Sequence, residues 1–205
     1  YALATMDYQY LAEAVDWRKW LQERQNEVGN RSLKILDVAC GSGKFPSALT
    51  NFCNLKEAHL LPIHYALLDP SSFSISETRK VLRSPFIVKE EFQTTLQNLV
   101  CKQPEFDVVW AIHALYAVPK EEIEPALYRF RDALKGKGFI AHASESSHYL
   151  RFYRNYLKGF NIKSRQPFCS AEDIVQALKK MNLRHSVKTI NYEHRISENS
   201  KMLAE

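Results

Sequence analysis

The sequence predicts an α/β protein with a Rossmann-like, doubly wound and mostly parallel sheet that carries helices on both faces. Two observations predict it: short apolar runs end in acidic or glycine-rich turns, and amphipathic helical segments lie between these runs. The 205 residues are 45% hydrophobic and 25% charged, with a formal net charge of +5, as in an ordinary globular protein. We therefore expect residues 1–205 to form a single domain.

The predicted elements alternate along the chain. An amphipathic helix is expected over residues 8–24, a second after Pro119 that ends at Gly136-Lys137-Gly138, and a third that Ser170 caps with Asp173. The apolar runs predict six strands, over residues 33–39, 66–69, 86–88, 106–112, 138–143 and 185–192.

Composition excludes several classes of protein. No apolar run approaches the length that spans a bilayer, and no signal peptide is visible, so no membrane partner is expected. The four cysteines, Cys40, Cys53, Cys101 and Cys169, form neither a C-x-x-C pair nor a metal-ligand set. We interpret them as reduced thiols of a cytoplasmic protein and expect no metal site.

The first glycine-rich turn follows the strand-like run Ile35-Leu36-Asp37-Val38-Ala39 and contains Gly41 and Gly43. Glycine lets bare backbone approach a ligand, and Asp37 can accept the ammonium of a cationic one. The G-x-G-x-x-G dinucleotide pattern fails because Pro46 occupies its third glycine position. The phosphate-binding G-x-x-x-x-G-K-[ST] pattern fails because Phe45 follows Lys44.

Two further apolar runs end in polar residues. The run at residues 65–69 ends at Asp69, where an acid in a doubly wound sheet accepts hydrogen bonds from ribose hydroxyls. An aspartate before Pro70 is also a common turn or helix-capping residue. The run at residues 106–112 leads directly into His113.

The turn resembles motif I of the class I S-adenosylmethionine-dependent methyltransferases, D-x-G-x-G-x-G, with Ala39 at the first glycine. Asp69-Pro70-Ser71 resembles motif II, and Phe106 to Val118 resembles the segment in which the fourth strand opens into the active site. This resemblance implies the class I methyltransferase fold and S-adenosylmethionine as cofactor. The cofactor contacts that it implies are Asp37, Ala39, Gly41, Ser42, Gly43, Asp69, Pro70, Ser74, Glu91 and Ile112.

Within that class, residues 34–190 resemble the histamine N-methyltransferases. The resemblance implies methyl transfer to a nitrogen or oxygen of a small molecule, with substrate contacts at His113, Tyr116, Tyr149 and Tyr153. It also implies that residues 1–30 form an N-terminal helical cap and residues 144–169 an insertion on the substrate side. His113 replaces a glutamine of that family, and Ala117 replaces a tyrosine.

His113 and Tyr116 are the predicted catalytic residues. A histidine at this position can take the proton of an amine or hydroxyl, although it can equally be a polar wall of the pocket. Tyr116 either orients the substrate or packs. Two other functions stay open: a non-catalytic binding protein of the same fold, and a protein or RNA methyltransferase. Nucleic acid is not expected as a partner, because the net charge is small.

Overall fold

The computed structural model describes residues 2–101, 103–163 and 165–193. Five parallel strands form one sheet in the order β3-β2-β1-β4-β5, which confirms the predicted Rossmann-like class. The strands are β1 (Lys34–Val38), β2 (Ile63–Leu68), β3 (Phe86–Phe92), β4 (Phe106–Ile112) and β5 (Leu134–Ala141).

Helices cover both faces of the sheet and give it two hydrophobic cores. The side chains of a strand alternate between faces, so Val108 and Trp110 of β4 enter one core while Val109 and Ala111 enter the other. The helices are α1 (Ala2–Glu13), α2 (Trp17–Val28), α3 (Lys44–Phe52), α4 (Ser72–Val81), α5 (Ile123–Ala133), α6 (His148–Gly159) and α7 (Ala171–Lys180). Within the part of the chain described, none of them has the length and apolar character needed to cross a bilayer.

The single helix predicted over residues 8–24 is wrong, because two helices occupy this region. Asp16 caps α2, and its Oδ1 atom accepts a hydrogen bond of 3.0 Å from the backbone N–H of Lys19. The buried Trp17 then donates its indole N–H back to the carbonyl of Leu11, at 3.0 Å, and fixes the turn between the helices. Apolar periodicity continues across this junction and so concealed the capping signal.

The predicted α7 is confirmed, including its cap. Ser170 Oγ accepts from the backbone N–H of Asp173, and Asp173 Oδ2 accepts from the backbone N–H of Ser170. By contrast, Gly136 and Gly138 do not end α5 as predicted. The helix ends at Ala133 and passes directly into β5, in which both glycines lie, because Leu134 already has an extended backbone. A side chain at Gly136 would collide with the carbonyl of Asp107 on β4.

The strand predicted over residues 185–192 is also wrong. The described residues 185–193 run without regular structure across α1 and hold it by side chains. The hydroxyl of Tyr192 donates to Asp7 Oδ1 at 2.8 Å, and its ring stacks on Tyr10 at 4.6 Å between centroids. Lys188 Nζ donates to the carbonyl of Ala14 at 2.7 Å. These contacts direct the segment toward α1 instead of toward an edge of the sheet.

Candidate functional site

A cavity of about 220 Å³ lies at the carboxyl ends of β1 and β4. The strand order reverses between these two strands, because β2 and β3 lie on one side of β1 while β4 and β5 lie on the other. Loops leave such a point in opposite directions, so a crevice opens there in doubly wound sheets. The cavity is lined by Tyr8, Asp37, Ala39, Cys40, Gly41, Ser42, Lys44, Phe45, Ile112, His113 and Ala114.

The turn after β1 has an unusual backbone. Ala39, Gly41 and Gly43 have φ angles of 52°, 56° and 70°, in the left-handed region that favours glycine. A Cβ atom at Gly43 would lie 2.6 Å from Val81 Cγ2, so α4 can approach the turn only because residue 43 is glycine. At Gly41 the nearest atom would be 3.9 Å away, so the backbone there has open space beside it. Ala39 adopts the same backbone region at a cost of about 1 kcal/mol.

Asp69 joins this turn to the end of β2. Its buried carboxylate accepts a hydrogen bond of 3.1 Å from the backbone N–H of Gly41 and one of 2.9 Å from that of Ser71. The buried Thr78 of α4 donates its hydroxyl to the carbonyl of Gly41 at 2.8 Å. The turn is therefore held from two sides. A carboxylate can accept about four hydrogen bonds, so Asp69 keeps capacity for a ligand.

Asp37 is a buried acid at the bottom of the cavity. Its Oδ2 atom accepts a hydrogen bond of 2.8 Å from the Tyr65 hydroxyl, which in turn accepts one of 3.1 Å from the indole N–H of Trp110. Burial raises the pKa of Asp37 to about 7, although the hydrogen bond from Tyr65 opposes this rise. A cationic group placed in the cavity would stabilise the ionised form.

Gly43 and Asp69 are not among the residues that line the cavity, and neither are the predicted cofactor residues that follow β2 or lie on α4 and β3. Ser74 is in the first turn of α4, where its backbone N–H donates to Ser71 Oγ at 3.3 Å, and the exposed Pro70 precedes that turn. Glu91 on β3 accepts three hydrogen bonds from Arg79: Nε and Nη2 donate to Oε1 at 2.8 Å and 2.6 Å, and Nη2 also donates to Oε2 at 2.5 Å. Its carboxylate is therefore engaged with α4.

His113 follows β4 directly and lines the cavity. Its φ angle is 53°, and its backbone N–H donates to the carbonyl of Ala141 at 2.9 Å. The Nδ1 atom lies 3.2 Å from the hydroxyl of Tyr116, which also accepts from the backbone N–H of Ala143 at 3.1 Å. Burial lowers the pKa of His113, so the ring is neutral at pH 7. The rings of Tyr8 and His113 pack edge to face, with 5.4 Å between their centroids.

The predicted substrate residues Tyr116, Tyr149 and Tyr153 belong to an aromatic cluster beside the cavity and are not among its lining residues. Tyr149 contacts Tyr116 at 5.1 Å between ring centroids. Tyr153 stacks on Phe168 at 3.8 Å with an interplanar angle of 8°. The ring of His142 packs against that of Tyr116, with 4.0 Å between their centroids. Its Nε2 atom lies 3.0 Å from the carbonyl oxygen of Cys169.

The cavity thus brings together six of the predicted residues: Asp37, Ala39, Gly41, Ser42, Ile112 and His113. Sequence reasoning missed Tyr8 because no local pattern shows that α1 packs against the turn. Lys44 and Phe45 lie within the glycine-rich motif, but they were used only to exclude the phosphate-binding pattern. Their position at the start of α3, directly after Gly43, already indicated that they could line the same site.

Comparison with known proteins gives a consistent family. Residues 35–138, just over half of the chain, match a family model described as a methyltransferase domain. No curated protein matches the sequence.

Solved structures of methyltransferases share the fold. A SAM-dependent methyltransferase from Thermotoga maritima, described as a possible histamine N-methyltransferase, has 20% identity and a TM-score of 0.53, covering 86% of this chain and 72% of its own. Magnesium protoporphyrin IX methyltransferase from Synechocystis, solved with bound SAH, has 16% identity and a TM-score of 0.55, covering 84% of this chain and 71% of its own. At these identities the likeness shows a common fold.

Proposed function

The chain belongs to the methyltransferase-domain family, and on that premise we propose that it transfers the methyl group of S-adenosylmethionine to a nitrogen or oxygen of a small molecule. The observation that carries the proposal is the position of the cavity. It lies at the reversal point of the sheet, directly beside a left-handed glycine turn that a buried acid on the neighbouring strand holds in place. Ligands of doubly wound sheets bind at such a point.

The residues present fit a nucleoside that carries a cationic amino-acid group. The open space beside Gly41 allows a ligand to approach the backbone, and Asp37, whose pKa burial raises, gains a counter-charge from an ammonium. We assign Asp37, Ala39, Gly41, Ser42, Gly43 and Ile112 to the amino-acid and sulfonium end of the cofactor. Asp69, with Pro70 and Ser74 beside it, is assigned to the ribose side and Glu91 to the adenine side.

S-adenosylmethionine supplies a methyl group that its sulfonium already activates. The protein then has to align the acceptor and receive its proton. His113 is the proposed proton acceptor, because it lines the cavity and is neutral at pH 7. Proton uptake at Nε2 requires the ring proton to sit on Nδ1, where the Tyr116 oxygen can accept it with its second lone pair. Tyr116 is the proposed positioning residue.

The acceptor would enter from the side of the aromatic cluster. We propose that Tyr149 and Tyr153 line the path of the acceptor and that residues 144–169 form the substrate-side insertion. Residues 1–30 are proposed to cap the cavity through Tyr8. The cysteines at positions 40, 53, 101 and 169 are free thiols, which supports the proposal of a reducing, cytoplasmic location.

A methyl-transfer assay tests this function. The protein is incubated with S-adenosylmethionine labelled in the methyl group and a panel of primary amines, imidazoles and phenols. We expect transfer to at least one class and its loss in Asp69→Ala. Turnover that the Asp69→Ala change leaves intact would refute the assignment of the site.

A further inference from the structure

The positive charge of the chain is concentrated in one segment. Residues 146–171 contain no Asp or Glu and five cationic side chains, so this segment alone carries as much charge as the +5 of the whole chain. The cations lie on α6 and in the loop that follows it. They are Arg151, Arg154, Lys158, Lys163 and Arg165. The small net charge of the whole chain therefore does not reflect this strongly basic region.

Four of these side chains line a groove of about 340 Å³ between α6 and the loop. Arg154 is paired with Glu145 at 3.3 Å. Among the residues that the structure describes, no carboxylate lies within salt-bridge distance of Lys158, Lys163 or Arg165. The rest of the groove is lined by Leu157, Asn161, Ile162 and Pro167. Three cations without a described counter-ion, around one shallow groove, favour binding of an anionic group such as a phosphate.

A series of aromatic rings leads from the end of this groove to the cavity. Spacings of three and four residues put the rings of α6 on one side of the helix. The exposed Phe160, next to the groove residue Asn161, is the outermost ring. The successive centroid distances are 5.0 Å from Phe160 to Tyr156, 6.4 Å to Tyr153, 3.8 Å to Phe168, 5.7 Å to Tyr149, 5.1 Å to Tyr116 and 6.2 Å to His113. We name this series the aromatic ladder.

The length of the aromatic ladder indicates what it binds. From Tyr149 to Phe160 the helix alone extends about 16 Å, which exceeds the size of one small ring system. Tyr149, Phe152, Tyr156 and Phe160 are all exposed, with Phe160 at 72%. Repeated flat rings beside repeated cations complement a chain that repeats flat bases and phosphates. The bases of a single strand are free to stack on aromatic side chains, whereas those of a duplex are not.

An anionic membrane is the alternative partner for a helix with aromatic and cationic faces. A membrane surface could contact the exposed rings of α6. The aromatic ladder, however, continues from Tyr149 to the half-buried Tyr116 and His113, where a flat surface cannot follow it. This continuation into the protein favours a polymer, whose bases can enter, over a flat surface.

We propose that α6, the described loop residues 160–163 and 165–168, and the aromatic ladder form a docking surface for single-stranded nucleic acid. Phosphates occupy the groove at Lys158, Lys163 and Arg165, and bases lie along the ladder toward His113. This binding activity goes beyond the proposed methyl transfer to a small molecule and does not depend on it. It would also allow a base to reach the cavity.

Fluorescence anisotropy with a labelled single-stranded RNA of about 12 nucleotides tests the docking surface. We expect the wild-type chain to bind at low salt, with an affinity that falls as salt rises. The double variant Lys158→Glu, Lys163→Glu should bind at least about 10-fold more weakly. Tyr156→Ala with Phe160→Ala, which removes two exposed rings of the aromatic ladder, should weaken binding by about 5-fold while leaving the salt dependence unchanged.

The matched control is Lys19→Glu with Lys137→Glu, which makes the same change in net charge at exposed positions outside the segment. It should keep near-wild-type affinity, and circular dichroism should show all variants folded. Three results would each overturn the proposal: no binding by the wild-type chain at low salt, an equal loss in the control, or capture by phosphatidylserine vesicles that RNA does not compete for.

Discussion

The hydroxyl of Tyr65 donates a hydrogen bond of 2.8 Å to Asp37 Oδ2, in the interior of the protein and at the bottom of the cavity. Tyr65 is completely buried and Asp37 is 4% exposed. One neutral hydrogen bond does not compensate for the loss of water around a carboxylate, and burial therefore raises the pKa of Asp37 to about 7. Asp37 is therefore ionised less readily than an exposed aspartate, and a bound cation would favour its ionised form.

We predict opposite effects of Asp37→Asn on stability and on cofactor affinity. Between pH 4 and pH 7 the folded chain holds a proton that the unfolded chain, with its ordinary pKa of 3.8, has released. The stability contribution of Asp37 is therefore complete below pH 4 and is lost as the pH rises through 7. At pH 8 the asparagine variant, which keeps an oxygen for Tyr65, should be more stable by about 1–3 kcal/mol.

The same variant should bind S-adenosylmethionine more weakly, because the ammonium loses its counter-charge. Denaturant unfolding and calorimetric titration across pH 5–9 measure both effects. In the wild-type chain, affinity should fall as the pH drops below 7, and in Asp37→Asn this dependence should vanish. An unchanged pH dependence in the variant would contradict the role given to Asp37.

Gly43 and Gly41 provide a matched pair within the turn. Their φ angles are 70° and 56°, but a Cβ atom at Gly43 would lie 2.6 Å from Val81 Cγ2, whereas at Gly41 the nearest atom would be 3.9 Å away. Gly41→Ala should therefore cost only the backbone strain, about 1 kcal/mol. Gly43→Ala should cost a further 1–3 kcal/mol, about the penalty for overpacking, and weaken cofactor binding. Equal losses of unfolding free energy in both variants would show that α4 can move away from residue 43 without a cost in stability.

His113→Asn tests the proposed proton acceptor. Asparagine tolerates the positive φ of residue 113, so the backbone should survive the change. We expect kcat to fall by about 10²–10⁴ and the acid limb of the pH profile, where His113 becomes protonated, to disappear. Tyr116→Phe should reduce kcat less and shift that limb, because the hydroxyl contacts His113 Nδ1. Near-normal turnover of His113→Asn at all pH values would remove this residue from the mechanism.

Tyr192→Phe tests whether the segment at residues 185–193 holds α1 over the cavity. The variant loses the 2.8 Å hydrogen bond to Asp7 but keeps the ring that stacks on Tyr10. We expect a loss of about 0.5–1.5 kcal/mol and faster amide exchange in α1. The control Tyr128→Phe, on the exposed side of α5, should change neither. Unchanged exchange in α1 would mean that the hydrogen bond from Tyr192 to Asp7 does not hold this helix in place.

The sequence predicted the centre of the sheet well for a physical reason. β1, β2 and β4 are buried on both faces, so they show as continuous apolar runs, and the glycines after β1 mark a turn that other residues fit poorly. It extended β1 to Ala39, which the positive φ of that residue removes from the strand, and shortened β3, whose alternating burial weakens the signal. It also began β2 at residue 66 and β5 at residue 138, whereas these strands begin at Ile63 and Leu134, and it carried both strands two residues or less beyond their ends.

The parts that the sequence did not predict depend on contacts between distant segments. Tyr8 reaches the cavity only because α1 packs against α3, and residues 185–193 lie where Asp7 and Tyr10 can bind them. No local periodicity encodes either relationship. Asp16 could have been recognised as the N-cap of α2, but the apolar periodicity on both sides of it indicated one continuous helix.

The cofactor site is tested most directly by calorimetric titration with S-adenosylhomocysteine of the wild-type chain and Asp69→Asn, with Asp132→Asn as a control at a surface ion pair. The asparagine cannot keep both acceptor bonds of Asp69 to Gly41 and Ser71 and also serve the ribose. We predict binding by the wild type and the control, and a loss of about 10- to 100-fold in Asp69→Asn. Equal affinity of all three proteins, or no binding by the wild-type chain, would contradict a cofactor site at the ends of β1 and β2.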